Sequence, residues 1–355
     1  MTETATMSPT RARLDRLWSR GRDFLGTELA ILGGAMTWVS ERNLVAATSN
    51  GGGFGVLACG SMPPAMLAEE IEATRLLTSR PFGVNLIVMH PELDALIDVC
   101  ARLKVGHVVL AGGLATGAAI KRVKDGGAHA IAFAPALVAA KRLVRHGVDA
   151  LVVEGMEAGG HIGPVATSVL AQEILPEVRQ VPVFVAGGIG RGEALVSFLE
   201  MGAAGVQIGT RLACATESVA HPRFKKAFIN ASARDAVPSA QIDPRFPVIP
   251  VRALANAGTR RFMEFQREVI ERFGRGELTQ KEAQLEIEHF WAGALRRAVV
   301  EGDVENGSVM AGQSVGMVTR EQPTAEILAD LVAQAEAALE QRALFYGAAS
   351  LTGVV

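Results

Sequence analysis

The sequence contains few cysteines and no long apolar run. Of its 355 residues only three are cysteine, at positions 59, 100 and 214, and none of them forms a CxxC pair. Three scattered thiols exclude a disulfide framework and a thiolate metal site and favour a reducing compartment, so we expect a cytoplasmic protein. No apolar stretch reaches the roughly 20 residues that span a bilayer. The N-terminus also lacks the apolar core of a secretory signal, which predicts a soluble chain.

Charge of one sign is not concentrated anywhere along the chain. The formal net charge is −2, and no long block of like charge occurs. This absence excludes the electrostatic footprint of nucleic-acid binding and leaves a small molecule as the expected partner. The motifs HxH, HxxxH and HExxH are missing, which argues against a metal site, and no GxSxG or SxxK supports an acyl-enzyme.

Short apolar runs recur at regular intervals, with helix-like stretches between most of them. Eight such runs occur, at residues 29–32, 53–58, 82–88, 107–112, 129–134, 150–155, 183–188 and 205–210. Runs that are apolar on both faces suit parallel strands covered on both sides, and eight βα units match a closed (β/α)8 TIM barrel. Glycine ends most of the runs and no GxGxxG follows any of them, which favours the barrel over a doubly wound open sheet. The sequence therefore predicts an α/β fold of the TIM-barrel class.

The pattern changes after the eighth run. Residues 218–300 read as helices without intervening strands, joined to the barrel by the proline-rich "VPSAQIDPRFPVIP". We predict a helical cap over this range, inserted into a barrel made of residues 26–217 and 301–355, with a final helix over about 323–342. Such a cap would exclude water from the catalytic face. Residues 1–25 form an N-terminal extension, expected as a short helix packed on the base of the barrel or frayed from it. Targeting or a membrane contact is the alternative.

Two glycine-rich turns, "AGGIGRGE" and "IGTR", follow the seventh and eighth runs. In TIM barrels these two loops commonly bind a phosphate, because free backbone N–H groups converge there. The candidate phosphate cradle consists of Gly187, Gly188, Gly209 and Thr210. The alternative is that the glycines only make tight turns between strand and helix.

Several polar side chains interrupt the apolar runs or follow them directly. Asn85 lies within the third run, Glu154 near the end of the sixth and Gln207 in the eighth. Burying such a group without a partner costs a few kcal/mol, so each needs a backbone group or a ligand, and for Asn85 both remain open. His161 follows the sixth run in the glycine-rich bend "EGMEAGGHIGP". At the catalytic end of a barrel strand it is a candidate acid, base or electrostatic stabiliser, and a structural role is the alternative.

Six motifs follow one another between about residue 30 and about residue 318: "ILGGAMTWV", "PFGVNL", "EGMEAGGHIG", "VAGGIGRGEA", "GVQIGTR" and "GSVMAGQ". Together they resemble the FMN-dependent nitronate monooxygenase family, formerly called 2-nitropropane dioxygenases, which also contains the FMN-dependent enoyl-acyl-carrier-protein reductases. Two positions depart from the family's pattern. The usual Gly-Gly-Met has Ala35 in its middle place, and a histidine that another branch carries after the fifth strand is replaced by Ala139.

The resemblance implies an FMN at the mouth of the barrel and assigns it residues. Asn85 would hydrogen-bond the flavin ring, and Gly312 with Gln313 would close over it. His161 matches the family's active-site histidine. The residues along the isoalloxazine would be Gly34, Ala35 and Met36, and the phosphate would be held by Gly187, Gly188, Gly209 and Thr210. The remaining members of the cofactor-binding set are Glu154, Gly159, Gly160 and Gln207.

The resemblance also implies an activity, with alternatives. A nitronate monooxygenase would oxidise an alkyl nitronate with O2, with His161 near the nitro group or abstracting the carbon-bound proton. An NAD(P)H-dependent enoyl-acyl-carrier-protein reductase would use His161 to position or protonate an enoyl thioester, and an NAD(P)H:quinone reductase is a further member. The alternative of another class is a non-redox phosphate-binding barrel enzyme. A homodimer is one assembly that the resemblance allows.

Overall fold

Eight parallel strands form the centre of the structure, a computed structural model that describes residues 8–60, 62–248 and 250–349. Three further strands, β7, β10 and β11, form a second, smaller sheet. In chain order all the strands of the described residues are β1 (Ile31–Gly33), β2 (Gly55–Ala58), β3 (Phe82–Ile87), β4 (His107–Ala111), β5 (His129–Phe133), β6 (Ala150–Glu154), β7 (Gly160–His161), β8 (Val183–Ala186), β9 (Gly205–Ile208), β10 (Ala236–Pro238) and β11 (Val251–Leu254). The parallel sheet has the order β1-β9-β8-β6-β5-β4-β3-β2. Seven of its strands lie within predicted runs, and β1 extends one residue beyond the first run, 29–32.

The sheet closes between β1 and β2. The backbone N–H of Gly33 donates to the carbonyl of Phe54 at 2.9 Å, and the N–H of Phe54 donates to the carbonyl of Ile31 at 2.9 Å. On its other side β1 pairs in parallel with β9, with Ile31 opposite Val206. Every strand of the sheet therefore has two neighbours, and the prediction of a TIM barrel is confirmed.

Helices cover the outside of the barrel. In chain order the helices of the described residues are α1 (Pro9–Leu17), α2 (Ser19–Leu25), α3 (Arg42–Asn50), α4 (Pro64–Leu77), α5 (Leu93–Arg102), α6 (Gly117–Asp125), α7 (Leu137–Arg145), α8 (Thr167–Ile174), α9 (Gly192–Glu200), α10 (Thr210–Ala213), α11 (Pro222–Ile229), α12 (Ala257–Gly274), α13 (Gln280–His289), α14 (Ala294–Arg296) and α15 (Thr324–Ala349). Of these, α12, α13 and α14 belong to the segment inserted after β9 and do not form part of the outer ring. The predicted final helix corresponds to α15, which packs against α9. Among the residues described, no helix combines the length and apolarity needed to cross a membrane.

The helices α1 and α2 pack on the amino-terminal end of the barrel. Trp18, between them, is fully buried. A Cβ atom at Gly21 would lie 2.1 Å from the carbonyl oxygen of Ala204, so α2 approaches the barrel backbone as closely as only glycine permits. The ring of Phe24 packs edge-on against His107 at 5.1 Å. The short helix expected on the base is thus present as two helices, and residues 1–7 lie outside the described residues.

The segment inserted after β9 contains strands as well as helices. β10 and β11 pair antiparallel, with Val237 opposite Ala253. β11 also pairs with β7, which places Val251 opposite His161. The expectation of helices without strands over residues 218–300 is therefore wrong. The prolines of this region flank or end two short strands, positions where a missing N–H donor is tolerated.

Part of the insertion has a hydrophobic core of its own. Its fully buried members are Phe246, Phe262, Val269, Ala283 and Ile287. By contrast, Phe224 of α11 belongs to the core of the barrel, although it also follows β9. We therefore propose that the separately packed part of the cap is narrower than residues 218–300 and runs from about residue 246 to about residue 291.

Candidate active site

Most of the predicted site residues lie at the carboxyl ends of four adjacent barrel strands. The strands β1, β9, β8 and β6 are consecutive in the sheet. Their last residues and the loops after them carry Gly34, Ala35, Met36, Gln207, Gly209, Thr210, Gly187, Gly188, Glu154, Gly159, Gly160 and His161. Because the carboxyl ends of parallel strands share one edge, the structure brings these residues to one side of the barrel mouth.

The loop after β1 lies directly against the end of β9. The N–H of Gly34 donates to the carbonyl of Ile208 at 2.8 Å. A Cβ atom at Gly34 would lie 3.5 Å from the side-chain nitrogen of Gln207, and one at Gly209 would lie 3.5 Å from the sulfur of Met36. Four predicted residues from two distant parts of the sequence are therefore direct neighbours.

The two glycine-rich turns of the candidate phosphate cradle lie side by side. In the pairing of β8 with β9, Ala186 stands opposite Gln207, so the loops that follow leave the barrel together. Gly187 and Gly188 have φ angles of 98° and 72°, which side chains rarely adopt. Within the described part of the chain, the N–H groups of Gly188 and Gly209 have no protein acceptor. Free donors on a concave backbone are what a phosphate requires.

The loop that carries Gly312 and Gln313 packs on the bend that precedes His161. The N–H of Gly312 donates to the hydroxyl of Thr210 at 3.0 Å. The N–H of Gln313 donates to the carbonyl of Glu157 at 2.9 Å. A Cβ atom at Gly159 would lie 2.6 Å from the nitrogen of Gly312. Because the two backbones approach so closely, a side chain at position 159 or 312 would clash with the facing chain. This contact alone requires glycine at both positions, whether or not a cofactor binds.

Asn85 stands apart from this set. It lies on β3, on the far side of β1 from the glycine-rich turns. Its side-chain amide donates to the carbonyl of Val109 at 3.2 Å, and the residue is only 5% exposed. One of the two amide N–H donors is therefore satisfied within the protein. The hydrogen bond from Asn85 to a flavin ring stays a prediction.

Glu154 is the last residue of β6 and carries a carboxyl group at the mouth of the barrel. Among the residues described, no hydrogen bond or ion pair reaches its side chain. Burial disfavours the charged carboxylate and raises the pKa of Glu154 to about 8. At neutral pH the group is therefore protonated and can donate a hydrogen bond to a ligand at the barrel mouth.

We expect the Glu154→Gln variant to remove a pH dependence of stability. In protein stripped of cofactor, Glu154 stays protonated in the folded state up to about pH 8, whereas in the unfolded state it loses its proton near its ordinary pKa of 4.5. The free energy of unfolding therefore falls as the pH rises through this range. The loss amounts to several kcal/mol at about 1.4 kcal/mol per pKa unit. The measurement is the urea midpoint at pH 5, 7 and 9. Equal pH dependence in the parent and in Glu154→Gln would contradict the raised pKa.

His161 is held by the insertion and open to a cavity. Its backbone pairs with Val251 of β11. In the described part of the chain no group bonds to its imidazole ring, and the residue lines a cavity whose other walls come from the inserted segment and from the stretch around Met310. The surrounding walls desolvate the ring and lower the pKa of His161 below 6.5. At neutral pH the imidazole is uncharged and able to accept a proton.

The cavity beside His161 has a volume of about 520 Å³ and is mainly apolar. Its walls come from β10, β11, α12, α13 and the segment around Met310. The large apolar side chains in them include Val237, Phe262, Met263, Ile287, Trp291, Leu295 and Met310. Its charged or titratable lining residues are His161, Arg260 and Glu288. An apolar chamber with a few polar groups is the usual form of a small-molecule site.

Sequence reasoning missed the residues that hold the bend before His161. The guanidinium of Arg252, 2% exposed, donates to the carbonyl of Met156 at 2.9 Å and to that of Ala236. The carboxylate of Glu157 accepts hydrogen bonds from the N–H and the hydroxyl of Thr167, both at 2.8 Å. Arg252 therefore ties the bend to the inserted sheet, and Glu157 ties it to the start of α8.

Replacing Arg252 with methionine should destabilise the protein by about 2 kcal/mol or more, because buried carbonyl groups lose a charged donor. Methionine retains most of the side-chain volume of arginine. The loss of stability therefore measures mainly the contribution of the two hydrogen bonds to the carbonyl groups. The measurement is the free energy of urea unfolding. The control is Arg267→Met, since Arg267 is exposed on α12. An Arg252→Met protein as stable as this control would contradict the assigned role.

Comparison with known proteins agrees with the fold. The sequence model of the nitronate monooxygenase family matches residues 19–96 and 92–334. The solved structure of FabK from Thermotoga maritima superposes with a TM-score of 0.83 at 35% identity, and the match covers 92% of this chain and 98% of that one. Both matches include the barrel and the insertion.

Two curated relatives carry different names. A nitronate monooxygenase from Paraburkholderia phytofirmans is 27% identical over 365 residues, 89% of this chain and 95% of that protein. A Rhodococcus jostii protein named (3aS,4S,5R,7aS)-5-hydroxy-7a-methyl-1-oxo-octahydro-1H-indene-4-carboxyl-CoA dehydrogenase is 34% identical over 223 residues. That match spans only 62% of each chain. Since the family model accounts for nearly all of the barrel and the cap, the chain belongs to the nitronate monooxygenase family.

Proposed function

We propose that the protein is an FMN-dependent oxidoreductase whose substrate lies between the cofactor and His161. The observation that carries the proposal is an imidazole, without a hydrogen-bond partner among the described residues, at the wall of an apolar cavity. The same face of the barrel carries the two glycine-rich turns of the candidate cradle. FMN, when bound, supplies a two-electron acceptor or donor. Membership of the family also supports redox chemistry over the non-redox phosphate-binding barrel.

The residues at the mouth of the barrel fit such a cofactor. Gly187, Gly188 and Gly209 present a backbone surface without side chains, and two of their N–H groups are free to hold the phosphate. The loop of Gly34, Ala35 and Met36 beside Gln207 is proposed to border the ring. Glu154, protonated at neutral pH, offers a hydrogen-bond donor there. Gly312 and Gln313 are proposed to close the site from the side of the bend.

His161 is proposed to move the proton of the substrate. As a neutral imidazole it accepts the proton from a carbon acid, or it directs the oxygens of a nitronate by hydrogen bonding once protonated. Oxidation of an alkyl nitronate, with O2 as the final electron acceptor, is the first candidate reaction. It is supported by the family model and by the relative from Paraburkholderia phytofirmans.

The size of the cavity favours acyl thioester chemistry as a second candidate. A volume of about 520 Å³ with apolar walls exceeds what a short nitronate fills and suits an acyl chain or a fused ring. The name of the Rhodococcus jostii relative and the likeness to FabK support the same substrate class. In the reductive direction NAD(P)H would supply the electrons. A quinone acceptor, a homodimer and a cytoplasmic location stay predictions.

A side chain that partly fills the cavity should distinguish nitronate oxidation from acyl thioester turnover. Val237→Trp places an indole in the cavity, so we expect kcat/KM for a long acyl thioester to fall about tenfold or more. Oxidation of propyl nitronate should stay within about twofold, because a small substrate needs only the end near His161. The measurement is steady-state kinetics with both substrates.

The matched control for this variant is Val219→Trp, because Val219 is exposed and lies outside the cavity. It should leave both activities unchanged. If Val237→Trp lowered nitronate oxidation as strongly as thioester turnover, the cavity would not be a separate chamber for an acyl group.

A further inference from the structure

A second cavity, of about 500 Å³, adjoins the one that His161 faces. It lies at the start of α12, where it is lined by Gly258, Arg260 and Arg261. Arg297 and Phe290 close it from the segment that follows α13. We call it the arginine cavity. Neither the family resemblance nor the proposed reaction assigns it any role.

The arginine cavity carries unbalanced positive charge. Three guanidinium groups line it, from Arg260, Arg261 and Arg297, against one carboxylate, from Glu264. In the part of the chain that the structure describes, none of the three arginines belongs to an ion pair. Arg297 donates one hydrogen bond, to the carbonyl of Ala292 at 3.2 Å. The remaining guanidinium donors are therefore available to an anion in the cavity.

The position of two of these arginines opposes the helix dipole. α12 has 18 residues and begins at Ala257, after the N-cap Asn256. The amino end of a helix carries partial positive charge and is stabilised by acidic side chains, yet the first turn of α12 has none. Arg260 and Arg261 follow immediately and add two full positive charges. A bound anion would offset both the dipole and the guanidinium groups.

The two cavities share a wall. Arg260 lines both of them. Phe290 lines the arginine cavity, and the next residue, Trp291, lines the apolar one. Their rings meet edge-on with centroids 5.1 Å apart. The two cavities are therefore adjacent, with Arg260 and this aromatic pair at the boundary between them.

We propose that the arginine cavity binds the phosphate groups of a coenzyme A thioester, whose acyl part enters the cavity beside His161. The proposal rests on the acyl thioester form of the proposed function. Three guanidinium groups suit the ribose phosphate and the diphosphate of that carrier, and Phe290 offers a ring for its adenine. NADPH carries similar phosphates, but its carboxamide needs polar partners that the mainly apolar adjoining cavity does not supply.

The test is calorimetric titration of the FMN-loaded protein at low salt with adenosine 3′,5′-bisphosphate, the head group of coenzyme A, and with its 2′,5′ isomer. We expect the 3′,5′ compound to bind more tightly. Arg261→Ala and Arg297→Ala should each weaken it about tenfold, the loss of one charge-assisted contact worth about 1.4 kcal/mol. Arg267→Ala, on the same helix but outside the cavity, should bind it as the parent does.

Three results would overturn the proposal. One is unchanged affinity in both cavity variants. Another is tighter binding of the 2′,5′ isomer with displacement by NADPH, which would make this a nicotinamide nucleotide site. The third is inorganic phosphate binding as tightly as the bisphosphate, which would show an unspecific anion site. Because the titration requires no turnover, and His161→Ala should leave it unchanged, its failure is distinguishable from failure of the proposed reaction.

Discussion

His161→Ala should lower kcat by about 10²–10⁴-fold, the usual worth of a positioned acid or base, while FMN stays bound. The imidazole has no protein partner among the described residues and faces the cavity, so its removal leaves no buried group unsatisfied. Folding and cofactor content are therefore expected to be preserved. The measurement is steady-state turnover with a nitronate and with an acyl thioester, beside the visible absorbance of the protein.

The control is His289→Ala, since His289 is exposed at the end of α13 and lies outside the cavity. It should turn over as the parent does. Unchanged turnover of every substrate by His161→Ala, with FMN bound, would show that this histidine takes no part in the reaction.

The pH dependence of kcat/KM provides a second test of the role of His161. Burial lowers the pKa of His161 below 6.5, so the neutral base persists at lower pH than for an ordinary histidine. The rate should fall only as the pH drops through this lowered value, and the acid limb should be absent in His161→Ala. An acid limb centred above pH 6.5 in the parent would contradict the lowered pKa of His161.

Gly188→Val should weaken FMN binding by at least about 100-fold, because a branched side chain would fill the cradle and block the free N–H donors. The φ angle of Gly188 is 72°, so valine is also strained there. A Cβ atom at this position would lie 3.0 Å from the Cβ of Glu157. The measurement is fluorescence titration of the cofactor-free protein with FMN.

The effect of backbone strain on FMN affinity must be distinguished from the effect of blocking the phosphate cradle. Gly147→Val is the matched control, because Gly147 has a φ angle of 84° but nothing lies within 4 Å of its added Cβ atom. It should share the loss of stability and keep the FMN affinity. If Gly188→Val bound FMN as tightly as the control, the phosphate would not lie at this turn.

The barrel could be predicted from the sequence because its strands are buried on both faces. β6, with the sequence "ALVVE", and β8, with "VFVA", are almost wholly apolar and end at glycine-rich turns. Such a pattern is independent of distant partners. Eight repetitions of strand and helix then fix the closed sheet and place Gly34, Gly188 and Gly209 at one end of it.

The inserted sheet could not be predicted, because it depends on pairing between distant segments. β7 has two residues and β11 has four, and they join Gly160 to Arg252 across the sequence. No local alternation marks strands this short. The cavity beside His161 could not be predicted either, because its walls come from segments that are distant in the sequence, before and after α12.

Arg211 is a further residue that a pattern of glycines does not reveal. It follows Thr210 directly and is 7% exposed. Its guanidinium donates to the carbonyl of Gly190 at 2.9 Å and to the side chain of Gln322 at 3.3 Å. It therefore holds the turn after β8 against the carboxyl-terminal segment. The only signal in the sequence is a single arginine beside the candidate cradle, in "IGTR".

The central claim is that the barrel mouth binds FMN and passes electrons between it and a substrate beside His161. The most direct measurement is the absorbance spectrum of the purified protein after addition of FMN, followed without oxygen as an alkyl nitronate, NADPH or NADH is added in separate cuvettes. We predict a yellow protein that the nitronate bleaches, and bleaching by a nicotinamide instead would select the thioester reductase. A protein that neither carries nor takes up FMN would contradict the account.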